Sequence, residues 1–124
     1  MIEITETIEF TAAHGLRNYE SDGSDEPIHS HVWKVTIGIS FEKTNKAGIA
    51  IDFLLLKEIF HDTVITPFNN KSLNETPPFT TMNPTTENIA KTFFETIKPK
   101  LPAHQNLWVQ VWETPTSSAR YFLS

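Results

Sequence analysis

Hydrophobic residues alternate with polar ones from the first turn of the chain. Ile2, Ile4, Ile8, Phe10, Ala12 and His14 fall on even positions, with Glu6 as the one charged interruption. Successive side chains of extended backbone point to opposite faces, so this pattern predicts a β-strand with one apolar face. A second alternation runs through His29, His31, Trp33, Val35, Ile37, Ile39 and Phe41 on odd positions. The intervening "GLRNYESDGSDEPI" is polar and rich in turn formers, which predicts a loop.

The period then lengthens. "IDFLLLKEIF" predicts a helix with Asp52 as N-cap and Phe53, Leu56 and Phe60 on its core face. "ITPFNNKSLNETPPFTTMNP" is interrupted by prolines and asparagines and reads mostly as loop. "TTENIAKTFFETIKPKL" places Ile89, Phe93, Phe94 and Ile97 at helical spacing and stops near Pro99. "LWVQVWETP" alternates again, with Leu107, Val109, Val111 and Glu113 on one face, and "ARYFL" is a candidate hairpin partner. The order β-β-α-α-β-β predicts an α+β fold, an antiparallel sheet with two helices on one face.

Composition narrows the classes. The 124 residues suit a single domain, residues 1–124, and 39% hydrophobic with 20% charged residues suits a globular one. A net charge of -5 without a basic stripe argues against nucleic acid as partner. No apolar run approaches the roughly 20 residues of a membrane span, and the acidic "MIEITETIEF" does not read as a signal peptide. Cysteine is absent, which removes disulfides and thiolate chemistry and points to the cytoplasm. Any metal must therefore be held by His, Asp or Glu.

Candidate ligands exist. His29 and His31 point to the same side of one strand, roughly 6.5–7 Å apart at Cα, so their imidazoles can converge on one ion. His14 ends the first strand on its apolar face, and hairpin pairing around the long loop brings it beside them. Three neutral histidines with a fourth position open match a catalytic zinc site better than a structural one. Zinc there can polarise a substrate oxygen or carry an activated water. The bland alternative is a set of packed, hydrogen-bonded histidines. His61, at a helix end, and His104, in "PAHQN", lack such neighbours and read as surface residues.

"FTAAHGL", "EPIHSH", "IDFLLLKEIF", "SLN", "PTTENIA" and "VWET" follow one another across most of the chain. In this order they resemble the family of 6-pyruvoyltetrahydropterin synthase and bacterial 6-carboxytetrahydropterin synthase. The resemblance implies a tunnelling fold, in which subunit sheets join into an oligomeric barrel, commonly a hexamer of two trimers. It implies zinc on His14, His29 and His31, acting on the side chain of 7,8-dihydroneopterin triphosphate. It implies a pterin anchor at Glu113, whose two oxygens can accept the fork formed by a pterin N–H and amino group. It also implies pterin contacts at Thr85, Thr86 and Glu87, residues that equally suit an ordinary helix start.

The chain departs from the family at the proton-transfer groups. The usual cysteine position is Asp25, and the usual Asp-His pair reads Asn69-Asn70. A neutral amide cannot replace imidazole in proton transfer, and such groups contribute roughly 10²–10⁴-fold. Glu26, three residues before His29, resembles the glutamate that replaces cysteine in a subgroup releasing 6-hydroxymethyl-7,8-dihydropterin. Asp25 and Glu26 are accordingly candidate bases, or else solvated loop acids. Three readings follow: a zinc-dependent pterin lyase or synthase, a non-catalytic zinc- and pterin-binding homologue, and a zinc enzyme acting on a related purine-like or pterin substrate.

Overall fold

The computed structural model describes residues 1–124. The two alternating stretches are strands β1 (Ile2–His14) and β2 (His29–Phe41). They pair antiparallel from Ile2 opposite Phe41 to His14 opposite His29. The helical stretch gives α1 (Phe53–Phe60), which runs through a π-turn at His61–Ile65 into the single turn α2 (Thr66–Phe68). A two-residue strand, β3 (Lys71–Ser72), precedes helix α3 (Thr86–Ile97). Strands β4 (Asn106–Thr114) and β5 (Ser117–Phe122) close the chain as an antiparallel hairpin. The sheet order is β3-β1-β2-β4-β5.

The fold is α+β as expected, but its sheet is mixed. β3 runs parallel to β1, with Lys71 opposite Ala12 and Ser72 opposite Ala13. The asparagine pair makes this docking possible. Asn69 Oδ1 accepts from the Thr11 amide at 2.9 Å, and the Asn70 amide donates to the Thr11 carbonyl at 2.6 Å. Asn70 sits at φ 59°, a left-handed conformation that asparagine tolerates better than most residues. The stretch read as mostly loop therefore carries π, α, 3-10 and β segments. Within one chain the sheet remains open, with β3 and β5 at its edges, so a single subunit forms no closed barrel.

Both helices cover the face made by even positions of β1 and odd positions of β2 and β4. On β2, Trp33, Val35, Ile37 and Ile39 are fully buried, and Val109 and Val111 oppose Ile37 and Val35 on β4. Helix α3 supplies Ile89, Phe93, Phe94 and Ile97 to this core, as its spacing predicts. The Phe93 ring meets Phe10 of β1 at 5.9 Å and Phe68 of α2 at 5.6 Å, tying the two helical segments to the sheet. Full burial of such side chains contributes about 1.5–3 kcal/mol each.

Two details refine the reading of α1. Asp52 accepts from the Leu54 amide at 2.9 Å, so the expected N-cap is present. Leu56, Ile59 and Phe60 are buried, but Phe53 remains 51% exposed and is not a core residue. Leu54 and Leu55 beside Phe53 are exposed as well, so the helix contributes to the core only from Leu56 onward. Glu6, the interruption in β1, meets Lys57 of α1 at 2.8 Å, so its position on the covered face is paired rather than anomalous.

Candidate metal centre

The β1–β2 register assembles the histidines. His14 lies opposite His29, and His31 lies opposite Ala12, so the three rings share one face at the end of the hairpin. Their centroids stand 4.9 Å (His14–His29), 5.3 Å (His14–His31) and 4.8 Å (His29–His31) apart. Trp33 forms the apolar floor, its ring 4.8 Å from that of His14 and 5.5 Å from that of His31. Its indole N–H donates to the Ala12 carbonyl at 3.1 Å, so the floor is fixed to β1.

Hydrogen bonds outside the cluster set which nitrogen faces inward. His14 Nδ1 meets the Pro84 carbonyl at 2.8 Å, and His29 Nδ1 meets the Pro27 carbonyl at 2.8 Å. A carbonyl only accepts, so each Nδ1 donates, and each ring turns its Nε2 toward the cluster. This is the outer support that metal-ligating histidines receive.

Glu113 of β4 completes the group. Its Oε1 stands 3.0 Å from His31 Nε2 and 3.3 Å from His14 Nε2. One potential donor atom from each of His14, His29, His31 and Glu113 lies within 4.8 Å of the others. His14 Nε2 and His31 Nε2 are buried and have no hydrogen-bond partner. Unsatisfied buried polar atoms are costly, and a divalent cation shared among them resolves that cost. The donor set, three imidazoles and one carboxylate, fits zinc. Burial lowers the pKa of His31, while the Glu113 carboxylate opposes the shift, so the ring is held toward its neutral, ligating form.

The acidic pair divides. Glu26 Oε1 accepts from the Leu16 amide at 3.2 Å and stands 3.9 Å from His29 Nε2, beside the cluster. Asp25 instead accepts from the Asn18 amide at 3.0 Å and acts within its own loop. Thr86 Oγ1 donates to Glu113 Oε2 at 3.1 Å, whereas Thr85 caps α3 by accepting from the Asn88 amide. Glu87 is exposed on the first turn of α3. His61 is exposed as expected, but His104 is half-buried with its Nδ1 unpartnered, because "PAHQN" folds back against the end of α3.

The loop after His14 is held by groups that periodicity does not reveal. Asn74 accepts from the Gly15 amide at 2.9 Å and donates to the Gly15 carbonyl at 2.8 Å, as a neighbouring strand would. Asn83 holds the amide and carbonyl of Arg17 in the same way. The Arg17 guanidinium donates to the carbonyls of Met82, Asn74 and Phe79. A Cβ on Gly15 would stand 2.6 Å from the Glu26 carbonyl, so only glycine lets the Glu26 segment lie this close to His14. Asn74 lies in "SLN" and Asn83 just before "PTTENIA", so the signal was present as motif but not as period. Beside the centre a cleft of about 440 Å³ is lined by His31, Glu113, Lys34 and Trp112 among others.

Comparison with known proteins places this geometry. The family model described as 6-pyruvoyl tetrahydropterin synthase matches residues 3–123. A 6-carboxy-5,6,7,8-tetrahydropterin synthase of Rickettsia conorii is 33% identical over 134 residues, covering 93% of this chain and 96% of the relative. A dihydroneopterin monophosphate aldolase of Pyrococcus furiosus is 33% identical over 105 residues, covering 84% and 82%. The solved structure of Caenorhabditis elegans 6-pyruvoyl tetrahydropterin synthase superposes with a TM-score of 0.82 at 21% identity, covering 99% and 96%. With nearly its whole length matched, the chain belongs to the 6-pyruvoyl tetrahydropterin synthase family of enzymes.

Proposed function

We propose that the chain is a zinc-dependent carbon–carbon lyase that shortens the side chain of a phosphorylated 7,8-dihydroneopterin. One observation carries this reading: Glu26 stands beside three converged histidines, two of them oriented by Nδ1 hydrogen bonds, while the family's other proton-transfer positions are amides. His14, His29 and His31 would hold the zinc, which supplies polarisation of the substrate's hydroxyl oxygens when bound. Glu113, oriented by Thr86, would accept the pterin N–H and amino fork, with Thr85 and Glu87 forming the adjoining helix start.

Glu26 then acts as general base. It takes the proton of the C2′ hydroxyl, the C1′–C2′ bond breaks, and C2′ leaves as the aldehyde of a phosphorylated glycolaldehyde. The electron pair passes to C1′, where the adjoining pterin imine stabilises it, and a proton returned to C1′ gives 6-hydroxymethyl-7,8-dihydropterin. Asp25, turned toward Asn18, is the less suitable base. The Asn69 side chain is committed to the Thr11 amide and the Asn70 backbone to the Thr11 carbonyl, and neither neutral amide side chain can move protons as the family's Asp-His pair would. The aldolase relative, similar over 84% of the chain, supports the cleavage branch.

A second reading follows from the 6-carboxy-5,6,7,8-tetrahydropterin synthase relative, similar over 93% of the chain: a synthase on the same dihydropterin scaffold. A non-catalytic zinc- and pterin-binding homologue is the third. The exposed edges β3 and β5 support assembly into the family's barrel, a hexamer of two trimers. Mass-spectrometric analysis of zinc-loaded protein with 7,8-dihydroneopterin triphosphate and monophosphate tests the proposal. The hydroxymethyl product is expected, and it should vanish in Glu26→Gln with zinc content unchanged. A carboxy or pyruvoyl product would select a synthase; intact substrates would select the binding homologue.

A further inference from the structure

We infer that Glu113 serves two ligands in turn: it is the fourth donor to the resting metal ion, and it leaves that ion when a pterin takes its carboxylate. The inference rests on the zinc and pterin reading above and adds an exchange between the two.

Three observations carry it. First, Glu113 Oε1 stands 3.3 Å from His14 Nε2, the nitrogen left facing the cluster because Nδ1 is turned to the Pro84 carbonyl. Oε1 is also 3.0 Å from His31 Nε2, and neither nitrogen gains a hydrogen bond from the contact. Two buried imidazole nitrogens and a carboxylate oxygen this close, with neither nitrogen hydrogen-bonded, form the donor set a cation would draw together. Second, zinc held tetrahedrally with ligand distances of about 2.0–2.1 Å spaces its donors by about 3.3–3.4 Å. The Glu113 distances to two histidines are close to that spacing, so the carboxylate already stands where a fourth ligand belongs.

Third, the two duties of Glu113 exclude each other. The donor fork of a pterin lies at the end of the bicyclic ring opposite its side chain. If the histidines face the side chain, a carboxylate lying against their nitrogens cannot also hold the far edge of the ring. Glu113 is 31% exposed and lines the cleft beside the centre, so it has room to turn outward. Its departure opens the metal position to the substrate's oxygen at the moment the ring is anchored. In the absence of a pterin, the closed donor set keeps that position from water.

The test is metal affinity, read apart from turnover. Zinc dissociation constants would be measured by competition with a chelating dye for the wild type, Glu113→Gln and Glu113→Ala. Each would be measured with and without saturating unsubstituted pterin, which has a recognition fork but no side chain. Circular dichroism would confirm that the variants fold, and cobalt(II) absorption would report the loss of a ligand. Both variants should bind zinc about tenfold or more weakly, with an altered cobalt spectrum. Pterin should weaken zinc binding to the wild type alone, and zinc should weaken pterin binding by the same factor.

Equal zinc affinities in wild type and variants would overturn the inference. So would a wild type whose zinc affinity is unchanged while pterin fluorescence shows the ring bound. A wild type that takes up no zinc would overturn the metal reading and the exchange together. Pterin that fails to bind the metal-free wild type would do the same for the anchor reading, and these failures are distinct from equal affinity.

Discussion

Replacing Asn74 by Asp changes one nitrogen to oxygen and keeps the side chain's shape. In the native chain the amide accepts from the Gly15 N–H and donates to the Gly15 carbonyl. The aspartate retains the first bond and loses the second. It also sets a carboxylate oxygen where the donor stood, 2.8 Å from a carbonyl oxygen. The lost hydrogen bond contributes about 1 kcal/mol, and leaving the buried Gly15 carbonyl unsatisfied costs about 1–3 kcal/mol more. Asn74→Asp should therefore destabilise the metal-free protein by about 2–4 kcal/mol at neutral pH.

The sign of its pH dependence follows from the same contact. Protonation restores a donor toward the Gly15 carbonyl, so the folded-state pKa of the new carboxyl lies above the unfolded value of about 3.9. The folded variant then binds more protons than the unfolded chain, and its stability relative to wild type rises as pH falls through that raised pKa. Urea unfolding at fixed protein concentration between neutral and mildly acidic pH gives the difference directly, with the other titrating groups common to both proteins. The expected deficit shrinks to below about 1 kcal/mol near the unfolded pKa. A deficit independent of pH, or one under about 0.5 kcal/mol at neutral pH, would show that Asn74 does not hold Gly15 as described.

Gly15→Ala places a Cβ 2.6 Å from the Glu26 carbonyl and 2.8 Å from Ile28 Cδ1, so backbone must move. A loss of about 1–3 kcal/mol is expected by thermal melting, and an unchanged midpoint would refute the close approach. His104 has its pKa lowered by burial and, secondarily, by the Lys98 charge. The unfolded chain thus binds more protons at this residue between the lowered value and about 6.5, so metal-free stability should fall as pH drops through that window. His104→Gln should reduce that slope; an identical slope in urea unfolding would remove His104 from the account.

How much of this the sequence carried depends on whether a feature is local. The β1 and β2 alternations, the Asp52 cap and the α3 stripe depend on backbone period and near neighbours, and all are present. The histidine triad needed one further step, antiparallel pairing of consecutive strands, and the observed register supplies it. The parallel strand β3 was not legible, because two residues have no period and their docking depends on amides reaching Thr11. Phe53 has the spacing of a core residue, yet spacing does not say which turns of a helix are covered by the rest of the fold. Alternation alone puts Glu113 on the core face of β4, but its contact with His14 and His31 depends on tertiary placement.

Trp33 has a consequence beyond packing. It is fully buried, held by a hydrogen bond to Ala12, and set edgewise against two of the three clustered histidines. The other tryptophans, Trp108 and Trp112, lie on the opposite face of the sheet, partly exposed, beneath Arg120 and Lys34. The chain therefore has two optically distinct indole populations. Buried indole emits at shorter wavelength than wet indole, and an adjacent imidazolium quenches it. The blue edge of the fluorescence spectrum is thus an intrinsic gauge of the charge state of the histidine cluster, readable without a label or a substrate.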